Sequence, residues 1–406
     1  MRPVLYARLS AMMFLEYFVW GLWYVTMGTY LLNGLNFTDV QVAGAYGTGA
    51  IAAMISPFFI GLIADRFFPT ERVLGVMHLL GAALMYAAST AQQFGAFYPL
   101  LLGYTICYMP TIALSNGVSF HQMDNPGKQF PYVRVWGTIG WIGAGLLIGW
   151  MQVEKQVLPL QLAAAASVLL GLYSFTLPHT PPKDKGKQIG IREVLGLDAV
   201  SLLRQRPFLV LFLASVLICI PLMYYYTFTN PFLNEIGVVN AAGKQTLGQM
   251  SELGFLLLMP ALFMTLGVKR LMIIGMLAWA LRYVLFAFGN AADGMWMLYA
   301  GIVLHGICYD FFFVTGQIYA DQRAPLNLRS SVQGMMTFAT YGIGMFLGSL
   351  VSGVLVEMGK TGSDPVQHDW MTIWLIPAGF AVLVALGYSF FFPKDKARSR
   401  EAAKAA

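Results

Sequence analysis

Pro181-Pro-Lys-Asp-Lys-Gly-Lys-Gln-Ile-Gly-Ile-Arg192 is the one long polar passage in a chain of 406 residues. Before it run six apolar segments, 6–33, 41–64, 72–92, 96–121, 131–151 and 157–177. After it run six more, 208–233, 245–268, 270–289, 295–321, 330–357 and 369–393. A helix crossing a bilayer needs about 20 apolar residues, and each segment meets or approaches that length. Composition agrees: 58% of residues are hydrophobic, 11% are charged, and the mean hydropathy is +0.64. Soluble domains carry about 25% charged residues, so this chain could not clothe a water-facing surface. A large soluble catalytic domain, a secreted disulfide scaffold and a disordered chain are excluded. The fold class read from the pattern is an all-α membrane protein of twelve transmembrane helices in two pseudo-symmetric six-helix bundles. The bundles span 1–177 and 208–393, joined by a cytoplasmic linker, 178–207, and followed by a tail, 394–406. The linker ends in an amphipathic stretch, Arg192 to Arg204, suited to lying along the membrane surface.

The pI of 9.1 invites a nucleic-acid partner, but the placement of the charges speaks for topology. With both termini cytoplasmic, 20 of the 25 Lys and Arg fall on the inner side, against Lys155, Lys244 and Lys360 outside. The first apolar stretch, Tyr6 to Leu35, is too long for a cleaved signal and is expected to be retained. Cys107, Cys219 and Cys308 all lie in apolar runs and read as small buried residues. No cofactor, metal or catalytic constellation is expected, and no enzyme activity.

The two halves echo one another. Ile106-Cys-Tyr108 reappears as Ile307-Cys-Tyr309, and the turn Gly61-x-x-x-Asp65-Arg66, followed by Arg72, has a partial counterpart in Gly267-Val-Lys269-Arg270. Parallel repeats of this kind belong to transporters whose substrate binds between the halves near mid-membrane. The first turn resembles the loop signature of the major facilitator superfamily. That resemblance makes Gly61, Asp65, Arg66 and Arg72 a cytoplasmic gate. Gly44-Ala-Tyr-Gly47-Thr-Gly49, Gly145-x-x-x-Gly149 and Gly344-x-x-x-Gly348 read as small-residue helix packing, because no strand precedes the first. The fifth segment lacks the Gly-Pro pair of the superfamily's drug antiporters, which favours uptake over efflux.

Charges inside the membrane cost roughly 2.5–3.5 kcal/mol or more each unless they face a cavity or a partner. Glu16, Arg134, Glu252 and Asp310 therefore stand out as functional candidates, amid Trp20, Trp23, Trp136, Trp141, Tyr226, Gln249, His305, Tyr309 and Gln317. Aromatic faces with carboxylates, an amide and an arginine suit a planar, polyhydroxylated ligand. Arg282, nearer an outer end, is expected to snorkel or pair locally, and His78 and His121 to lie near helix ends.

At these residues the chain resembles the bacterial nucleoside permeases, the nucleoside:proton symporters of the major facilitator superfamily. The resemblance rests on Phe130-Pro-Tyr-Val-Arg134-Val-Trp136-Gly-Thr138-Ile-Gly140, Leu195-Gly-Leu-Asp198-Ala, Ala280-Leu-Arg282-Tyr-Val-Leu-Phe286, Cys308-Tyr-Asp310-Phe-Phe312, Trp374-Leu-Ile-Pro-Ala-Gly379 and Trp20-Gly-x-Trp23-x-x-Thr26-x-Gly28-x-Tyr30. It implies a monomeric importer of nucleosides, driven by protons, multi-pass in the bacterial cytoplasmic (inner) membrane. The family's substrate pattern carries over at Arg134, Thr138, Gln249, Glu252 and Asp310. Trp141, His305 and Tyr309 depart from its aromatics, and Met223 and Tyr226 align loosely with its amides. These departures point away from plain pyrimidine nucleosides, toward purine or modified ones. Glu252 is assigned ligand contact and proton coupling, Asp310 the second titrating group, and Glu16 an N-terminal candidate. The other reading is a superfamily carrier for a different polar solute, such as a sugar or glycoside.

The topology is tested by reporter fusions at Leu195 and at the C-terminus. Both are expected to report cytoplasm, and an external signal from either would overturn the helix count.

Overall fold

The computed structural model describes residues 2–56, 67–182, 197–363 and 366–393. The expected gate residues Gly61, Asp65 and Arg66, the 183–196 part of the linker including Leu195, and the 394–406 tail lie outside them. Helices dominate: α1 (Pro3–Trp23), α2 (Met27–Asn33), α3 (Asp39–Ser56), α4 (Thr70–Thr90), α5 (Phe94–His121), α6 (Pro126–Met151) and α7 (Leu158–Ser174). A 3-10 helix, Leu197–Arg204, precedes α8 (Arg206–Glu235). There follow α9 (241–266), α10 (268–288), α11 (Met295–Arg323), α12 (Ser331–Met358) and α13 (Trp370–Phe391). A short antiparallel pair, β1 (Lys360–Ser363) and β2 (Val366–His368), joins the last two helices. Among the described residues, seven helical runs are long and apolar enough to cross a membrane, one of them the whole of 241–288.

Each break in a helix has a residue-level cause. Between α9 and α10, Gly267 takes φ 74° and ψ 166°, a conformation open to glycine alone, so the chain turns where the sequence placed a boundary. The first apolar segment was expected to run unbroken over 6–33. Instead it is interrupted at Tyr24–Thr26, and a tyrosine from α3 bridges the gap. The Tyr46 hydroxyl donates to the Tyr24 carbonyl at 2.6 Å and accepts the Gly28 N–H at 3.1 Å. Backbone groups freed by a break inside a membrane have no water to turn to, so a partner of this kind is required. Two single turns of π-helix, at Asp310–Val314 in α11 and Phe338–Gly344 in α12, widen their helices without ending them. Such turns concentrate at functional sites, and one of them begins at a carboxyl.

The chain forms two compact units. One contains α1–α7 together with 225–246 and 349–358, so the ends of α8, α9 and α12 pack with the N-terminal helices. The other contains the rest of α8 to α13. In the first unit α1 lies along α6 and α7, α4 lies against α5 and α7, and α3 against α5. The α1–α6 contact is close enough that a Cβ on Gly140 would stand 2.2 Å from the Phe14 carbonyl oxygen. The glycine stripes behave as helix-packing surfaces. Gly145 and Gly149 meet the start of α9, while Gly344 and Gly348 admit α8 around Cys219. In the second unit the core is aromatic, with Tyr283 stacked on Trp374 at 5.4 Å.

Gly140→Ala forces a methyl group against a backbone carbonyl that cannot rotate away. It is expected to cost about 1–3 kcal/mol, read as a lowered midpoint of thermal unfolding in detergent. Gly379→Ala, whose Cβ would meet nothing within 4 Å, is expected to leave that midpoint unchanged.

Candidate functional site

In the first unit the expected ligand residues form a continuous aromatic wall. Arg134, half-buried on α6, lays its guanidinium over the Tyr17 ring of α1, 4.0 Å from the centroid. Thr138 follows one helical turn later. Trp141 meets Trp20 edge-on at 5.3 Å and Tyr24 at 6.2 Å, and Tyr24 in turn meets Tyr226 of α8 at 5.7 Å. A cation stacked on one ring beside four more flat faces can hold a planar, electron-rich group. The Trp20 indole N–H is buried and has no hydrogen-bond partner among the described residues, leaving an unused donor in this wall.

In the second unit the remaining residues cluster where α9 and α11 touch. Gly306 lies so close to α9 that a Cβ there would be 2.6 Å from the Glu252 backbone nitrogen. Gly248 likewise faces the His305 Cβ. This approach sets the Glu252 carboxylate 3.7 Å from His305 Nε2, with 28% of the Glu252 side chain still exposed. Gln249 is half-buried one turn earlier on the same face of α9. The His305 ring lies 6.0 Å from Tyr309, whose hydroxyl meets that of Tyr341 at 2.8 Å. Asp310 is fully buried at the start of the π-turn, and neither carboxyl oxygen has a hydrogen-bond partner among the described residues. A charge in that position would carry its full desolvation cost, which protonation relieves.

Several residues fall elsewhere than expected. Trp136 and Gln317 are exposed, and the Trp136 indole donates to the Tyr6 hydroxyl at 2.9 Å, away from the wall. Both were read as cavity residues because apolar runs do not reveal which way a helix faces. Of the two readings offered for Arg282, snorkelling or local pairing, the structure shows the second. Arg282 is fully buried, its Nε donates to the Gly301 carbonyl at 3.0 Å, and its guanidinium lies 4.7 Å from the Trp279 ring. His78 is not near a helix end in any functional sense: it is buried and its Nε2 lies 3.1 Å from Glu16 Oε2. Arg72 is exposed in the first turn of α4.

Sequence reasoning missed one cluster altogether. Glu154, in the short loop between α6 and α7, is buried and accepts three hydrogen bonds. The donors are the side-chain amides of Asn230 at 2.9 Å and Asn234 at 2.8 Å, and the Ala242 backbone N–H at 2.9 Å. Asn230 also donates to Gln245 at 2.9 Å and accepts from the Thr29 hydroxyl at 2.5 Å. Nearby, Glu357 accepts the Asp39 backbone N–H at 2.8 Å. A carboxylate in a loop between apolar runs carries no sequence signal, because the cost of burying it is visible only once the loop is seen to be covered.

The family model for nucleoside H+ symporters matches residues 4–397. The chain belongs to that family. It is 40% identical to YegT of Escherichia coli (strain K12) over 398 residues, covering 95% of this chain and 93% of that one. It is 35% identical to the xanthosine permease of the same organism, covering 95% of each. The crystal structure of the nucleoside transporter NupG superposes with a TM-score of 0.89 at 30% identity, over 96% of this chain and 100% of that one. The helical fold is similar to that of NupG, and the protein is a multi-pass membrane transporter of this family.

Removing Glu154 would take the acceptor from the buried Ala242 N–H and one of the acceptors from each of the Asn230 and Asn234 amides. Glu154→Ala is expected to lower stability by about 1–3 kcal/mol. Glu154→Gln, which keeps one acceptor, is expected to fall between Glu154→Ala and wild type, with thermal unfolding in detergent as the measurement.

Proposed function

We propose that the protein imports nucleosides with protons across the bacterial cytoplasmic membrane by alternating access. It works as a monomer with twelve spans, two six-helix halves (1–177 and 208–393) and both termini inside. The observation that carries the reading is Asp310. A fully buried carboxyl without a hydrogen bond among the described residues, on a π-turn beside the Glu252–His305 pair, is a costly feature in a chain whose family couples nucleosides to H+.

The residues divide by chemistry. Arg134 and Thr138 donate to carbonyl or hydroxyl oxygens of the nucleoside, and Trp141, Tyr226 and Tyr309 offer faces to its base. Gln249 and Glu252 hold the ribose hydroxyls, with His305 alongside Glu252. Protonation of Glu252 and Asp310 discharges the site, so the loaded carrier reorients without moving bare charge through the low-dielectric interior. Glu16 is the N-terminal candidate for the same work. Alternating access also needs closures that form and break in turn. The basic-residue count puts Lys155 and Lys244 outside, so the Glu154 clasp on Asn230, Asn234 and Ala242 serves as an outer closure. Gly61, Asp65, Arg66 and Arg72 serve as the cytoplasmic gate. The purine nucleoside in the name of the xanthosine permease, a 35% identical relative, supports a preference on the purine side.

The test uses purified protein in proteoliposomes with an imposed pH gradient, offered uridine, inosine, xanthosine, free bases and sugars. Nucleosides are expected to accumulate and sugars not; accumulation of sugars alone would favour the other reading. Arg134→Ala and Gln249→Ala each remove a buried polar contact worth about 1–3 kcal/mol, so binding is expected to weaken roughly 5–100-fold. Glu252→Gln and Asp310→Asn are expected to abolish uphill uptake and leave some downhill exchange. Wild-type accumulation in both would place the coupling elsewhere.

A further inference from the structure

Glu16 and His78 meet deep inside the first unit, about 20 Å along α1 and about 12 Å along α4 at 1.5 Å per residue. Glu16 is 0% exposed and His78 2%. His78 Nε2 stands 3.1 Å from Glu16 Oε2, and the Thr111 hydroxyl donates to Glu16 Oε1 at 2.7 Å. The Tyr108 hydroxyl donates to the Glu16 backbone carbonyl at 2.6 Å, and its ring stands edge-on to His78 at 5.9 Å. Three helices therefore hold one carboxylate and one imidazole in a fixed, dry contact.

We infer that Glu16 and His78 together form a proton-binding site in the unit built on α1–α7, separate from the carboxyls of α9 and α11. The inference rests on the proton-coupled reading above and extends it to a second unit. The charge accounting is simple. With no proton to share, the pair carries one negative charge. With one proton it is neutral overall, either as carboxylate and imidazolium or as acid and imidazole. Two protons leave it positive. In a buried site the neutral, one-proton state is the cheapest, and its loss leaves a bare carboxylate.

The surroundings decide what can compensate that carboxylate. From α1 comes the Tyr17 phenol, and from α5 come Tyr104 and Tyr108. From α6 comes Arg134, stacked on the ring of Tyr17, the residue next to Glu16. α7, which packs on α4, brings no charged residue. Among the described residues Arg134 is thus the cation near the pair, and it is also the residue assigned to the nucleoside. A ligand that engages Arg134 withdraws compensation from the unprotonated pair and so favours proton uptake there. That is a reciprocal coupling of ligand and proton through one side chain.

The test has two arms. The first follows the infrared band of protonated carboxylic acid during a pH titration of purified protein, in wild type, Glu16→Gln and Glu252→Gln. A component that is lost in Glu16→Gln, persists in Glu252→Gln and shifts its midpoint in His78→Gln is expected. The second arm measures uridine and inosine in proteoliposomes. His78→Gln is expected to keep exchange without a gradient while pH-driven accumulation falls within the roughly 5–150-fold range typical of coupled sites. Should Glu16→Gln fail to fold, Thr111→Val removes only the hydroxyl at Oε1 and is expected to shift the infrared midpoint. No infrared component assignable to Glu16, with wild-type accumulation in His78→Gln, would overturn the inference. A wild type that accumulates no nucleoside would instead sink the transport reading, and the infrared arm, read at the histidine ring modes as well as the carboxylic acid band, would still decide whether the pair binds a proton.

Discussion

A polar group inside a bilayer has no water to fall back on, and this constraint orders the whole molecule. Each buried charge must be given partners, be neutralised, or be kept for a ligand or an ion. Glu154 takes the first course with three donors, and Arg282 does so with a backbone carbonyl and an indole face. Glu16 takes it with a threonine and a histidine. Asp310 stands apart, fully buried with no hydrogen bond to either oxygen among the described residues. The three carboxyls are alike in burial and differ in partners: Glu154 is held by amides and a backbone N–H, Glu16 by a hydroxyl and a titratable imidazole, and Asp310 by none among the described residues.

The backbone obeys the same rule. At Tyr24–Thr26 the helix lets go of its own ladder, and Tyr46 takes up one carbonyl and one N–H across the gap. The π-turn at Asp310–Val314 changes the helical register where the carboxyl sits, without exposing a free end to lipid. Glycine serves a different need, close approach. Gly306 and Gly248 bring α9 against α11, and that contact places Glu252 beside His305. A side chain at either glycine would push the helices apart and with them the two members of the pair.

Much of this was legible from residue type and spacing. The apolar runs, the polar passage after residue 180 and the boundary at Gly267 all follow from hydropathy and from what glycine permits. So does the suspicion attached to Glu16, Arg134, Glu252 and Asp310, because the cost of a charge in hydrocarbon is a property of the residue and its neighbours in the chain. The family motifs along the chain further mark Arg134, Glu252 and Asp310 as candidates, whereas Glu16 rests on its charge alone. Direction was not legible: Trp136 and Trp141 lie on one helix in equally apolar company, yet one is exposed beside Tyr6 and the other faces Trp20 and Tyr24.

By itself, then, the sequence determined a helical membrane transporter and the charged residues worth attention, since length, hydropathy and charge act locally along the chain. Only the tertiary structure decided which charges are spoken for. His78 had no signal until its ring was brought within reach of Glu16, and Glu154 had none until 225–246 covered its loop. Partnership depends on groups far apart in the chain, Glu16 with His78 and Glu154 with Asn230. A hydrogen bond of about 3 Å is set by how helices pack, which no periodicity in one segment encodes.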